Sequence, residues 1–202
     1  PRANANPTTS SLTAANIINP DSETGSGYWA HQYDTTFDWN SKYGILGGPA
    51  YGYMGGGMPS VVSTIGRIDY SNDTPTALAK GPLAAVRKYL SATGNTSYGY
   101  FAGGRDESNM VSTVQRLDYS DDTTTAVIKG PLTSTMYRSQ AAVTNNTYGY
   151  IAGGDVGPNT SKIDRIDYSN DTATAVTKGP LSTADGDFSA TGNTSYGYWM
   201  GI

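Results

Sequence analysis

Three short sequence markers recur in a fixed order along this chain with a period of about 49 residues. Tyr-Gly-Tyr begins at Tyr51, Tyr98, Tyr148 and Tyr196, Arg-apolar-Asp-Tyr ends at Tyr70, Tyr119 and Tyr168, and Lys-Gly-Pro-Leu begins at Lys80, Lys129 and Lys178. Repeats of 20 to 50 residues are typical of solenoids, propellers and arrays. The period therefore restricts the possible folds more than any other feature of the sequence.

Each repeat divides into four strand-sized pieces. In the second repeat these are residues 89–95, 97–104, 112–119 and 123–130, which are rich in Thr, Tyr, Val and Ile and are separated by Gly, Asn, Asp and Pro. A four-stranded antiparallel unit of nearly 50 residues is the size of a propeller blade. The abundance of Gly (25) and Tyr (16) also favours short strands with tight turns. We predict an all-β fold, specifically a β-propeller.

The order of markers resembles kelch repeats. The double glycines at 103–104 and 153–154 follow an aromatic strand, and a strand ending in Asp-Tyr comes next. Tyr33-Asp34 followed by Trp39 resembles the kelch Tyr-Asp…Trp signature, although the three internal repeats lack the Trp. The phrases RIDYSNDTATA and SATGNTSYGY are similar to repeats in virion structural proteins, tail or fibre, of tailed phages of marine cyanobacteria. The resemblance covers roughly residues 28–202 and implies a kelch-like propeller in a virion.

Four blades are the usual minimum for a closed propeller. The repeat predicts three full blades at about 43–83, 89–132 and 138–181. Residues 188–202 would supply two strands of a fourth blade, and residues 21–41 the other two, so that the ring closes as a composite blade within one chain. Alternatively, a neighbouring subunit supplies the missing strands. Residues 1–20 are predicted to be an extended arm that joins other subunits in a homo-oligomer.

The usual catalytic and metal-binding residues are scarce. The chain has no cysteine and a single histidine, His31, which excludes zinc sites of the His and Cys type, and no GxSxG motif occurs. We therefore predict no enzyme activity, no cofactor and no transition metal. A glycan-processing enzyme would have to use scattered carboxylates, and the candidates are Asp106, Glu107, Asp155 and Asp185. The net charge of −4 without a basic patch argues against nucleic acid, and no apolar run is long enough to insert in a membrane.

Charged residues recur with the repeat. Arginine and aspartate lie two residues apart, and so share one face of a strand, in the pairs Arg67 and Asp69, Arg116 and Asp118, and Arg165 and Asp167. Because catalytic groups are not expected in every blade, these residues are predicted to form ion pairs between adjacent blades. The clusters at 69–73, 118–122 and 167–171, which read Asp-Tyr-Ser-Asn-Asp or Asp-Tyr-Ser-Asp-Asp, are interpreted as turns stabilised by Asx side chains, with Ca²⁺ ligation as the alternative.

Aromatic residues that do not recur are the candidates for a ligand site, since a structural repeat does not require them. Those selected are Trp29, Tyr33, Trp39, Tyr89, Tyr137 and Trp199. The expected function is that of a non-enzymatic virion structural or adhesion module, extracellular as part of the particle, which contacts host-surface glycans or neighbouring virion proteins. A subunit of an extracellular bacterial filament, joined by residues 1–20, is the alternative.

Overall fold

A computed structural model of the chain describes residues 50–58, 60–136, 140–155, 157–185 and 188–201. This part of the chain is all-β and contains four antiparallel sheets, which confirms the prediction of an all-β fold. Its only helical pieces are two single 3-10 turns, at Tyr119–Asp121 and Tyr168–Asn170. Within the described ranges, no helix has the length and apolar character needed to cross a membrane. The predicted arm, residues 1–20, and the predicted closing strands at 21–41 lie outside the described residues.

Each sheet is a meander of consecutive strands. The first sheet contains β1 (Tyr51–Gly55), β2 (Ile65–Asp69) and β3 (Leu78–Lys80). The second contains β4 (Ser91–Gly94), β5 (Tyr98–Ala102), β6 (Val114–Asp118) and β7 (Val127–Lys129). The third contains β8 (Ala141–Thr144), β9 (Tyr148–Ala152), β10 (Ile163–Asp167) and β11 (Val176–Lys178), and the fourth β12 (Ser189–Gly192) and β13 (Gly197–Met200). The strands of the second sheet all lie inside the four predicted pieces.

The second sheet is buried on both faces, because neighbouring repeats cover both of them. Successive residues of a strand point to opposite faces and so enter different clusters. Phe101 belongs to an apolar cluster with Ile65 and Leu83 of the first repeat. Tyr100, the preceding residue, belongs to a cluster with Ile151 and Ile166 of the third sheet. The sequence therefore produces sheets that stack face to face, each repeat covering the apolar side of the repeat before it.

The double glycines end the second strand of each full sheet in a conformation that only glycine adopts easily. Gly103 and Gly104 have φ of 65° and 82°. A β-carbon on Gly104 would lie 2.4 Å from the carbonyl oxygen of Lys88. These glycines therefore hold the loop before β4 against the end of β5.

Candidate functional site

A single carboxylate joins the second sheet to the first. Asp122 follows β6 and is 7% exposed. Its carboxylate accepts a hydrogen bond from the Tyr53 hydroxyl at 2.9 Å, and it pairs with the Arg67 guanidinium at 2.8 Å and the Lys80 ammonium at 3.1 Å. These three groups come from β1, β2 and β3, so that one side chain contacts every strand of the first sheet.

The same contact joins the third sheet to the second. The Asp171 carboxylate accepts a hydrogen bond from the Tyr100 hydroxyl at 3.0 Å and pairs with Arg116 at 2.7 Å and Lys129 at 3.2 Å. In both sheets the tyrosine lies directly opposite the arginine in the strand register. We call this tyrosine, arginine and lysine set the carboxylate receptor of a sheet.

The receptor stabilises the charged form of its carboxylate. Burial alone would raise the pKa of Asp171, but hydrogen bonds from Tyr100, Lys129 and Arg116 outweigh it, so that the pKa lies below its ordinary value. The pKa of Asp122 is lowered by the same balance. Burial and the neighbouring Asp122 raise the pKa of Tyr53 to about 12. The phenol therefore stays protonated and remains a hydrogen-bond donor.

The acidic partner in these ion pairs differs from the one expected from the sequence. Asp118 does not pair with Arg116; it accepts hydrogen bonds from the backbone N–H of Ser120 at 2.9 Å and from its hydroxyl at 2.6 Å. Asp69 and Asp167 do the same with the serine two residues later. These bonds lower the pKa of all three carboxyls. The Asx turns predicted for these clusters are thus present. Each of them uses the aspartate that was predicted to pair with the arginine.

The calcium alternative for the same clusters has no matching geometry. Across the described ranges, no group of three or more His, Cys, Asp or Glu side chains is arranged to hold a metal ion. The first aspartate of each cluster accepts hydrogen bonds from its own turn, and the last aspartate of the clusters after β6 and β10 pairs with the preceding sheet.

The three arginines of the repeat share one pose. The guanidinium lies 4.0 Å from the ring centre of Tyr51 for Arg67, 4.1 Å from Tyr98 for Arg116 and 4.1 Å from Tyr148 for Arg165. Arg165 nevertheless differs from the other two. Its Nε is buried without a hydrogen-bond partner, and none of the described carboxylates lies within ion-pair distance of it.

Stacked tyrosines accompany the carboxylate contacts. Tyr119 stacks on Tyr53 with ring centres 4.9 Å apart, and Tyr168 stacks on Tyr100 at 4.7 Å. The glycine of Tyr-Gly-Tyr makes room for this ring in the first three sheets, since a β-carbon on Gly149 would lie 2.6 Å from the Tyr168 hydroxyl oxygen. The equivalent ring in the first sheet, Tyr70, is 66% exposed.

A groove of about 250 Å³ lies where the first and second sheets meet. Its tyrosine lining consists of Tyr51, Tyr53, Tyr70, Tyr100 and Tyr119, and its polar lining includes residues 93–96. The Asn95 side-chain oxygen accepts hydrogen bonds from the backbone N–H groups of Ser97 and Tyr98. This groove was not predicted from the sequence, because only aromatic residues that do not recur were considered as ligand residues. The signal in the sequence was Tyr70, which is the first of the three tyrosines that recur in the Asp-Tyr turns.

Two of the predicted ligand residues lie in the described part, and neither lines this groove. Tyr89 precedes β4 with a φ of 60°, and the Lys88 ammonium lies 5.7 Å from its ring centre. The Trp199 indole N–H donates to the Ala141 carbonyl at 3.2 Å, which ties the fourth sheet to the third. Trp199 lines a second cavity, of about 240 Å³, together with residues that include Tyr150 and Lys178. The other predicted ligand residues, Trp29, Tyr33, Trp39 and Tyr137, lie outside the described residues.

Two of the four carboxylates considered for an enzyme stabilise their own loops. Asp106 accepts hydrogen bonds from the backbone N–H groups of Ser108 and Asn109, at 2.8 and 2.6 Å. Asp155 accepts one from the N–H of Gly157 at 2.7 Å. Both therefore have turn-forming roles, as Asx residues in loops commonly do.

The described part is thus a series of repeated antiparallel sheets joined by buried carboxylates and stacked tyrosines. Compared with known protein families and with curated protein sequences, the chain matches no family model and no curated sequence.

Proposed function

We propose that this chain is a non-enzymatic structural and adhesion module of the virion of a tailed phage, and that it binds glycans of the host surface. The observation that carries the glycan part is the groove between the first and second sheets, which combines exposed tyrosine with polar groups. The virion part rests on the resemblance of the repeats to those of virion structural proteins.

The proposed fold of the whole module is a four-bladed, kelch-like propeller. The second and third sheets would be complete blades, and the first would be completed by residues 43–49. Residues 188–202 and 21–41 would together form the fourth blade, which would close the ring. The stacking of the second sheet on the first and of the third sheet on the second supports this arrangement, because neighbouring blades of a propeller pack face to face. The arm at 1–20 would then be available to join other subunits of the virion.

The groove has the chemistry of a carbohydrate site. The apolar face of a sugar ring stacks on an aromatic ring, while its hydroxyls require directional donors and acceptors. Tyr70 offers an exposed ring at the groove. Because the Asn95 oxygen is used by its own turn, its amide N–H groups are the part of the side chain that can donate to a sugar.

Substitution of Tyr70 tests the proposal. Tyr70→Ala should weaken binding to polysaccharide extracted from host cells by about tenfold or more, since a stacked aromatic contact contributes about 1 kcal/mol beyond its buried area and that area is lost as well. Tyr70→Phe keeps the ring and should retain most of the affinity. The measurement is binding of immobilised polysaccharide by the purified chain.

Tyr196→Ala is the matched control, because Tyr196 is equally exposed, at 66%, but does not line the groove. Equal loss of affinity in Tyr70→Ala and Tyr196→Ala would contradict the groove as the site. Absence of binding by the unsubstituted chain to any host polysaccharide would contradict the adhesion function itself.

The filament alternative is favoured by a different observation. Tyr70 of the first sheet is 66% exposed and Tyr198 of the fourth is 56% exposed, although both occupy positions of the repeat that stack between sheets elsewhere. A stack of Tyr70 of one copy on Tyr198 of another would be a heterologous contact, which generates either a ring or an open filament. Mass spectrometry of purified virions and of fibres sheared from host cells separates the two functions by where the chain is found.

A further inference from the structure

The third sheet has the residues of a carboxylate receptor in the same register as the second sheet. Tyr150 lies opposite Arg165 on the neighbouring strand, and Lys178 follows two residues after Val176, which also lies opposite Arg165. The Arg165 guanidinium lies over the Tyr148 ring, in the pose that the receptor arginines of the other two sheets share. The receptor of the third sheet is therefore preformed.

This receptor has no carboxylate partner in the part of the chain that the structure describes. None of the described carboxylates pairs with Arg165 or Lys178, and the Arg165 Nε is buried without a hydrogen-bond partner. Lys178 is exposed, whereas the side chain of Lys129, in the occupied receptor of the second sheet, is 13% exposed. A carboxylate that bound to the third receptor would gain ion pairs with charge-assisted hydrogen bonds.

The other two receptors each hold a ring as well as a carboxylate. Both groups come from one turn, because a tyrosine three residues before the bound aspartate stacks on the receptor tyrosine. In the second sheet these groups are Asp171 and Tyr168, whose ring stacks on that of Tyr100. Among the described residues no ring stacks on Tyr150, and Tyr148 meets it edge-on with ring centres 6.3 Å apart. The third receptor therefore offers room for a ring face beside the carboxylate.

The third receptor opens into a cavity of about 240 Å³ where the third and fourth sheets meet. Tyr150 and Lys178 line this cavity together with Trp199 and the polar residues 193–195, and no Asp or Glu is among its described lining residues. A hydrogen bond from the Trp199 indole N–H to the third sheet fixes the ring at the cavity wall. The Asn193 side-chain oxygen accepts two N–H groups of its own turn, so its amide N–H groups remain to donate.

We propose that the third receptor and this cavity bind a hexuronic acid residue of an acidic polysaccharide. The carboxylate of the sugar would pair with Arg165 and Lys178 and accept a hydrogen bond from the Tyr150 hydroxyl, as Asp171 does from the matching groups of the second sheet. The ring hydroxyls would accept hydrogen bonds from the Asn193 amide. The inference rests on the glycan binding of the proposed function and adds a class of sugar to it, at a site other than the groove of Tyr70.

The lining of the cavity favours a sugar acid over other carboxylates. An acidic peptide supplies the carboxylate in an aspartate or glutamate side chain that has no ring. An aromatic acid supplies a carboxylate and a ring but no hydroxyls for the polar residues at 193–195. A hexuronic acid supplies all three groups. The cavity is also smaller than the pockets of about 300–1,000 Å³ that hold drug-sized ligands, as expected for a single sugar ring.

Binding of trigalacturonate to the full chain, measured by titration calorimetry, tests the proposal. The matched control ligand is the methyl ester of trigalacturonate, which has the same rings but no carboxylate charge. The ester should bind about tenfold more weakly or worse, because charge-assisted hydrogen bonds to the receptor are lost. Equal affinity for the acid and the ester, or no binding of the acid, would overturn the proposal. Stronger competition by benzoate than by free galacturonate would overturn the sugar class.

Substitution of Lys178 locates the site. Lys178→Met should weaken trigalacturonate binding by about fivefold or more, since one of two cationic partners is lost, and the fold should tolerate the change because Lys178 is exposed. Lys88→Met is the matched control, because Lys88 does not line the cavity. Equal loss of affinity in the two variants would overturn this location.

The rate at which an acylating reagent labels Lys178 provides a measurement that needs no variant. In the chain alone, Lys178 should be labelled faster than Lys129, which pairs with Asp171. Trigalacturonate at about ten times its Kd should slow the labelling of Lys178 by about tenfold and leave that of Lys88 unchanged. Labelling of Lys178 as slow as that of Lys129 before any ligand is added would show that another carboxylate already fills the receptor, and would overturn the proposal.

The two glycan sites can fail independently. Tyr70→Ala should leave the affinity for trigalacturonate unchanged, because Tyr70 does not line the cavity of the third receptor. Loss of host polysaccharide binding in Tyr70→Ala tests the groove, and loss of trigalacturonate binding in Lys178→Met tests the receptor. A loss of trigalacturonate binding in Tyr70→Ala that matched the loss in Lys178→Met would overturn the separate site.

Discussion

At the residue scale, the first and last aspartates of the turns after β6 and β10 have different tasks. Asp118 bonds to Ser120 two residues away, whereas Asp122 contacts Arg67 at a separation of 55 residues. The local bond forms with almost no loss of chain entropy, so it takes the aspartate that is nearer to the arginine in sequence. The last aspartate of the turn, Asp122, is then the one that contacts the preceding sheet.

The lowered pKa values of Asp122 and Asp171 predict loss of stability in acid. A carboxyl whose pKa is lower when folded than when unfolded stabilises the fold above the unfolded pKa of about 4, and this contribution is lost as the pH falls through the folded pKa. The midpoint of urea unfolding should therefore decrease steadily below about pH 4.

The control is the double variant Asp122→Asn with Asp171→Asn. Its unfolding midpoint should be lower near neutral pH, because the receptor charges lose their partners, and should depend less on pH below 4. If the unfolding midpoint of this variant depended on pH as steeply as that of the unsubstituted chain, then protonation of these two carboxylates would not affect the stability of the fold.

The sequence could predict that the arginines of the repeat form ion pairs but not which aspartate each one meets. Residues that share a strand face are readable from the alternation of the strand. The contact between two sheets cannot be predicted in this way, because it depends on how far the turn after β6 or β10 extends towards the preceding sheet. The tyrosine groove was missed for the same reason, since it forms only where two sheets meet.

At the scale of elements, the Lys-Gly-Pro-Leu segment is a contact surface as well as the end of a strand. The N–H groups of Gly81 and Gly130 donate to the carbonyls of Asp122 and Asp171, at 2.9 and 2.8 Å. The proline of this segment is enough to predict the end of a strand from the sequence. The need for glycine becomes visible only when the turn of the next sheet is in place.

Gly130→Ala should therefore destabilise the fold by about 1–3 kcal/mol or more, because its β-carbon would overlap backbone that cannot move without separating the second and third sheets. The free energy of urea unfolding measures the effect. Gly66→Ala, whose β-carbon has ordinary room, should change that free energy by less than about 0.5 kcal/mol. If the two variants were equally stable, the close approach at Gly130 would be wrong.

At the scale of the whole molecule, truncations test the proposed organisation. Deletion of residues 1–20 should leave a folded chain that no longer self-associates, because the arm is proposed to join subunits. Deletion of residues 21–41 should lower the melting temperature or cause aggregation, since the edge of β13 would lose its partner. Circular dichroism and sedimentation velocity measure the two properties. An unchanged melting temperature after deletion of 21–41 would contradict the composite fourth blade.

The contacts between consecutive sheets use the same residue types, and this has a consequence for how such chains evolve. The second sheet offers a receptor to the sheet after it and an aspartate to the sheet before it, in matching positions 49 residues apart. Recombination between the similar coding segments would therefore insert or remove one whole sheet, and the contacts between consecutive repeats would keep the same residue types. The loops after the double glycines differ between repeats, at 105–110 and 155–160, and could diversify without disturbing those contacts.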